Sequence, residues 1–165
     1  MVILKISLII LLVFGVLELC HILSYGILKK RILKRQRWDL NICSGKTDGG
    51  GVNADIFQHL DVRNFVKVDD IYNLPFKDKQ FETVLCSHTI EHVDDPEAFY
   101  HELSRVGEQV ILVIPPLWDP LAVLNFLEHQ WIFLSFKKEH TRLPGYVRLP
   151  LAKRFQRRFG QRIHA

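Results

Sequence analysis

A chain of 165 residues, 48% of them hydrophobic and carrying a formal charge of +4, has room for one small domain and an appendage. The modest sum conceals three blocks: residues 29–37 hold six bases and no acid, residues 38–136 are net −10, and residues 137–165 are net +8. An acidic body excludes a nucleic-acid-binding core while the basic ends suit an anionic surface, and three cysteines (Cys20, Cys43, Cys86) are too few for a disulfide framework, which points to a reducing compartment.

Ile6 to Leu28 is an apolar run in which only Glu18 and His21 are ionisable. As a helix it rises about 34 Å, enough to cross a hydrocarbon core of about 30 Å. Glu18 and His21 lie three residues apart and share a helix face. They read either as a helix-pairing or proton-relay site or as a tolerated, protonated Glu, whose cost of about 3 kcal/mol the surrounding Leu and Ile residues offset. No Ala-x-Ala-like cleavage site follows, so residues 1–28 are expected to form an uncleaved transmembrane anchor. Lys29, Lys30, Arg31, Lys34, Arg35 and Arg37 then make a basic juxtamembrane linker over residues 29–37. Such residues stay on the cytoplasmic side, which predicts a single-pass protein whose C-terminal domain faces the cytoplasm.

Residues 38–116 carry the signature of an α/β domain. Trp38–Cys43, Val52–Ile56, Phe65–Val68, Thr83–Cys86 and Val110–Ile114 are short runs rich in apolar residues, as buried parallel strands are. Asp94-Asp95-Pro96 opens a helix to Val106, with a carboxylate cap and Pro in the first turn. Open sheets of this kind bind ligands beyond the carboxyl ends of their strands, where Asp55, Asp69, Asp70, Ser87, His88, Glu91 and His92 fall. Only Ser44–Gly51 separates the first two strands, too little for a parallel crossover with a full helix. That glycine-rich loop reads either as backbone approaching a ligand or as a surface loop. Asp55, ending the second strand, stands where nucleotide-binding sheets hold ribose hydroxyls.

The series NICSG, NADI and VDDIYNLPFKDKQFETVLCSHTIEHVDDPEAFYHELSRV resembles the class I S-adenosylmethionine-dependent methyltransferases, nearest to the type 11 subgroup. The resemblance covers about residues 38–116. It implies a truncated Rossmann-like α/β sheet with strand order 3-2-1-4-5 and S-adenosyl-L-methionine as cofactor. It further implies that Asn41, Cys43, Ser44 and Gly45 lie in the turn cradling the methionine end. Asp55 would take the ribose hydroxyls, Asp70 the adenine amino group, and Ile71 the face of the ring. Leu74-Pro75-Phe76 and Phe81 would position the fourth strand, with Ser87 and His88 near the methyl donor. The chain departs from the family pattern at Gly45, which lacks the usual alternating glycines, and at Gly107-Glu108-Gln109, which replaces a Lys-Pro-Gly-Gly turn. No clear pair of closing strands follows Pro116.

Methyl transfer from a sulfonium depends chiefly on positioning, and a general base helps only where the acceptor is a hydroxyl or amine. His88 and His92 are the candidate catalytic residues; each also reads as a structural group, His92 together with Glu91 as a brace of the loop before the helix. Cys43 and Cys86 end neighbouring strands, but with no further ligand pattern no metal site is expected.

Leu117–Phe136 is apolar and broken by polar residues, reading either as an interfacial or re-entrant segment or as ordinary core. Arg142, Arg148, Lys153, Arg154, Arg157, Arg158 and Arg162 then form a basic tail that reads as a membrane-surface contact, as a grip on an anionic substrate headgroup or as a merely solvated tail. Together these features predict methyl transfer to a membrane-associated acceptor: a lipid, a lipid-linked sugar or an amphiphilic metabolite. The partners expected are the lipid bilayer and that acceptor, with no nucleic acid. The alternative is a catalytically degenerate, methyltransferase-like binding or scaffold protein at the membrane.

Overall fold

The computed structural model describes residues 2–59 and 61–159; Arg162 lies outside them. Five parallel strands form the centre: β1 (Trp38–Ile42), β2 (Gly50–Asp55), β3 (Phe65–Lys67), β4 (Phe81–Ser87) and β5 (Gly107–Val113). Their order, β3-β2-β1-β4-β5, is the one the resemblance implied. Trp38, Leu40, Ile42, Val84, Leu85 and Leu112 are wholly buried, so both sheet faces are covered and these strands are apolar without alternation. The short first crossover requires close backbones: a Cβ on Gly51 would collide with the carbonyl oxygens of Trp38 and Asp39.

One helix, α3 (Pro96–Val106), connects β4 to β5. Asp95 caps it, its Oδ1 accepting from the amides of Glu97 and Ala98 at 3.0 Å each. Phe99, Leu103 and Val106 on one face join Leu40, Val84, Val110 and Leu112 in the core. On its flank Glu102 accepts the Leu74 amide at 2.6 Å and binds Arg105 at 2.7 and 2.8 Å. Arg105 also reaches Asp78 at 2.7 Å and the carbonyls of Phe76 and Leu74. Arg105 holds the Glu102 carboxyl below the ordinary range, against the opposing pull of burial. This lock fixes the Leu74-Pro75-Phe76 turn, and Phe76 packs edge-on against Phe81 at the start of β4.

After β5 the chain makes a single helical turn, α4 (Pro120–Val123), and a small antiparallel pair, β6 (Trp131–Phe133) with β8 (Tyr146–Arg148). Between them β7 (Glu139–His140) joins the edge of β5 antiparallel. The sheet therefore has a sixth strand beyond the five legible in the sequence. Helix α5 (Ala152–Phe159) ends the described region, with Lys153, Arg154, Arg157 and Arg158 on its exposed surface.

The N-terminal segment is helical throughout: α1 (Val2–His21), a π-helical stretch (Ile22–Lys29) and α2 (Lys30–Leu33). Residues 2–16 are all exposed, and the helix is long and apolar enough to cross a membrane, with mean hydropathy 2.6 over its best window. The widened π turns mark where it meets the domain. Ser24 is wholly buried there, Arg35 makes a two-pronged pair with Glu139 at 2.7 and 2.8 Å, and Trp38 Nε1 donates to the Leu33 carbonyl at 3.0 Å.

Candidate active site

A cavity of about 710 Å³ opens beyond the carboxyl ends of β1, β2 and β4, within the range of small-molecule sites. The turn after β1 and the end of β2 form one wall. Cys43 and Gly45 both adopt left-handed backbone, at φ 51° and 53°. The Gly45 amide donates to Asp55 Oδ2 at 2.8 Å, and Asp55 Oδ1 accepts from the Ile56 amide at 2.8 Å. Gly45 and Asp55 thus meet directly at the cavity, and Ile71, 1% exposed, lines it from the segment after β3.

The other predicted cofactor residues divide. Cys43 lines the cavity; burial and the Asp55 charge push its thiol up to about 12. Asn41 is buried beneath the turn and donates to the Thr47 carbonyl at 3.0 Å and to Asn53 Oδ1 at 3.1 Å, so its side chain shapes the loop rather than the cavity. Ser44 and Ser87 keep buried hydroxyls with no hydrogen-bond partner among the described residues, outside the lining. Asp70 is exposed next to Ile71, its Oδ1 accepting the Tyr72 amide at 2.8 Å, also outside the lining.

Both candidate histidines line the cavity. His88 follows β4 with φ 55°, its Nδ1 3.1 Å from Glu91 Oε1 and its Nε2 2.7 Å from Lys138 Nζ. Burial pushes His88 down to about 4, against the pull of Glu91, and pushes Lys138 down to about 8. Burial works to raise Glu91, yet the close approach of His88 Nδ1 and the nearby His92 and His129 hold it well below the carboxylate range. At neutral pH the charges are therefore an ammonium, a neutral imidazole and a carboxylate in line. An ammonium only donates, so His88 Nε2 accepts and its proton sits on Nδ1, facing Glu91. Lys138 donates onward to Ser24 Oγ at 3.1 Å, which ties the chain of contacts to the N-terminal helix. His92 Nδ1 lies 3.1 Å from the Glu128 carbonyl, to which it donates.

The opposite wall comes from outside the sheet. Glu18, His21 and Tyr25 of the N-terminal helix line the cavity with Leu121, Ala122, Asn125 and His129. His21 Nδ1 reaches Asp119 at 3.2 Å, and the Tyr25 ring meets His88 edge-on at 5.1 Å. Glu18 and His21 therefore face the cavity together. Neither His129 nor Lys138 stands out in the sequence: His129 sits in an irregular apolar stretch, and Lys138 is the second of two adjacent lysines at the start of a basic block.

Residues 52–109 match a family described as a methyltransferase domain. This part of the chain is similar to a methyltransferase domain. The matched segment begins inside β2, so the Gly45 turn precedes it. Norajmaline N-methyltransferase of Rauvolfia serpentina is 45% identical over 50 residues, 30% of this chain and 17% of that protein. The chain thus matches only about a sixth of that relative's length. Solved structures with some likeness include a SAM-dependent methyltransferase from Thermotoga maritima, at 22% identity and TM-score 0.42 over 59% of this chain and 55% of that one. Another is a SAM-dependent methyltransferase from Aquifex aeolicus, at 17% identity and TM-score 0.41 over 56% and 65% of the two chains.

Proposed function

We propose that this protein transfers a methyl group from S-adenosylmethionine to an acceptor that reaches the cavity from the membrane. One observation carries this reading: a single cavity is walled on one side by Gly45, Asp55 and Ile71 and on the other by Glu18, His21 and Tyr25 of the apolar helix.

The first wall fits the cofactor. Gly45 has a left-handed backbone, and a Cβ there would meet nothing within 4 Å, so a ligand can approach the turn closely at its Cα while its N–H is held by Asp55. Each Asp55 oxygen accepts one amide and keeps a further lone pair for a ribose hydroxyl. Ile71 offers an apolar surface to a ring. The cofactor supplies an activated methyl, and the chain's task is to align donor and acceptor and exclude water.

The second wall supports a membrane-borne acceptor. The exposed residues 2–16 rise only about 22 Å, less than a hydrocarbon core of about 30 Å. The exposed Leu121, Leu124 and Leu127 beside the helix, with the basic face of α5, would seat the domain in the interface and make up the difference. A single-pass anchor with the domain on the cytoplasmic side follows from the basic residues at 29–37. Incubating the full chain with membrane extract and methyl-labelled cofactor, followed by mass spectrometry, should reveal a labelled amphiphile. Labelling of water-soluble metabolites alone would remove the membrane acceptor from the reading.

The engaged His88 favours one rival. With Nε2 taken by Lys138, His88 cannot accept a proton from an acceptor while that contact persists. A protein that binds the cofactor without transferring its methyl would show tight binding in calorimetry and no labelled product in any extract.

A further inference from the structure

We propose that Glu91, His92 and His129 form a site for a divalent transition-metal ion at the acceptor end of the cavity. One ligand atom from each lies within 4.8 Å of the others. Three ligands each bound at about 2.1 Å around one ion stand about 3.4–3.6 Å apart, so the side chains must close by roughly an ångström on binding. The Glu91 Oε1 to His129 Nε2 separation, 3.9 Å, is nearest to that spacing.

Three independent features prepare these side chains for a cation. Glu91 is 1% exposed, and neither of its carboxylate oxygens has a hydrogen-bond partner among the described residues. An ionised carboxylate so placed is costly unless a positive charge meets it, and His88 approaches only Oε1. His92 gives its Nδ1 proton to the Glu128 carbonyl, which leaves Nε2 as a lone-pair donor and fixes the ring, as metal-bound histidines are fixed. The His92 and His129 rings stand nearly perpendicular, at 84° with centroids 4.7 Å apart, and both line the cavity while Glu91 lies behind them. An ion among the three would be held from the protein side and open toward the cavity.

Two imidazoles and one carboxylate suit zinc, iron(II) or manganese, and suit magnesium poorly because it prefers all-oxygen shells. The open positions would bind an oxygen donor of the acceptor, which narrows the substrate class to hydroxyl-bearing or carboxyl-bearing amphiphiles. That role rests on the methyl-transfer reading; the site does not. It would also supply a function that His88, held by Lys138, does not offer: fixing an acceptor oxygen beside the methyl donor.

The test uses the purified full chain in detergent, stripped with chelator and titrated with Zn²⁺ by calorimetry and with Co²⁺ by visible absorption. One equivalent should bind, Co²⁺ giving the intense bands of a low-coordinate nitrogen–oxygen site. His92→Ala and His129→Ala should each weaken Zn²⁺ binding by about tenfold or more, whereas Cys20→Ser should leave it unchanged. His92 is half-exposed, so its variant keeps the assay valid should Glu91→Gln fail to fold. Wild-type Zn²⁺ affinity in both histidine variants, or no stoichiometric binding in the parent, overturns the site; Mg²⁺ binding without Zn²⁺ binding overturns the assignment of donors. S-adenosylmethionine binding is measured in the same samples. Cofactor binding without metal binding counts against this site alone, and metal binding without cofactor binding counts against the transfer reading alone.

Discussion

Replacing Asp55 by Asn probes the cofactor wall at its most connected point. The carboxylate accepts the Gly45 amide through one oxygen and the Ile56 amide through the other, both at 2.8 Å. An amide side chain of the same shape keeps one acceptor oxygen and turns an NH₂ toward the second donor. One charge-assisted hydrogen bond is lost, a contribution of about 1.5–3 kcal/mol, and the Gly45 turn loses its anchor at the point where it would meet the cofactor. The matching loss in affinity is roughly 10- to 150-fold in Kd for S-adenosylmethionine or its demethylated product. Calorimetry on the full chain measures this directly, with circular dichroism confirming that the variant is folded. A folded Asp55→Asn protein binding within twofold of the parent would refute the role given to this wall.

Arg105 holds Glu102 below the ordinary carboxylate range, so the pair stabilises the fold above that range and the contribution is lost as pH falls through the depressed value. Urea titrations between pH 7 and pH 3 should show Arg105→Met losing less stability on acidification than the parent; parallel curves would contradict the lock. With the Cys43 thiol pushed up to about 12 from 9.0, its thiolate fraction at pH 8 is about a thousandfold lower than that of an ordinary thiol. Peptide mass spectrometry should find Cys43 unmodified by iodoacetamide after Cys20 has reacted, and equal rates would contradict its placement. Gly51→Ala, forcing a methyl against two carbonyl oxygens, should cost about 1–3 kcal/mol in urea midpoint analysis. Gly15→Ala, with nothing within 4 Å, is the control.

The sheet was legible because its strands are buried on both faces and so are written as unbroken apolar runs, and α3 because Asp95-Pro96 spells its cap. The element bounds moved by one to three residues; β5, expected from Val110, begins at Gly107 immediately after α3. The sixth strand was hidden: Glu139–His140 is two polar residues long, and its pairing with Leu112 and Val113 is set by the sheet edge, not by any periodicity of its own. Leu117–Phe136 is core in part, with Ala122, Val123 and Phe133 buried, while Leu121, Leu124, Leu127 and Phe136 are exposed.

Within the site, Asp55 is legible because it ends β2, and Gly45 because the turn after β1 needs its left-handed backbone. Asp70, which the resemblance assigns to the adenine amine, is exposed outside the lining and accepts the Tyr72 amide, while Asn41 serves the loop beneath. Hydropathy marks the N-terminal helix as apolar but says nothing of which residues it lends to a neighbour, so Tyr25 could not be seen. Lys138 and His129 come from a region without a repeating pattern, and only folding brings them against His88 and Glu91. The cation site therefore had no spacing to announce it.

The central claim is that the hollow between Gly45, Asp55 and Ile71 holds S-adenosylmethionine. Ultraviolet crosslinking of methyl-labelled cofactor to the full chain, followed by peptide mapping, tests it most directly. Label on peptides spanning residues 41–59 and 70–93, displaced by excess S-adenosylhomocysteine, is the result predicted. Label that is not displaced, or that falls on the opposite edge around residues 137–144, would contradict it.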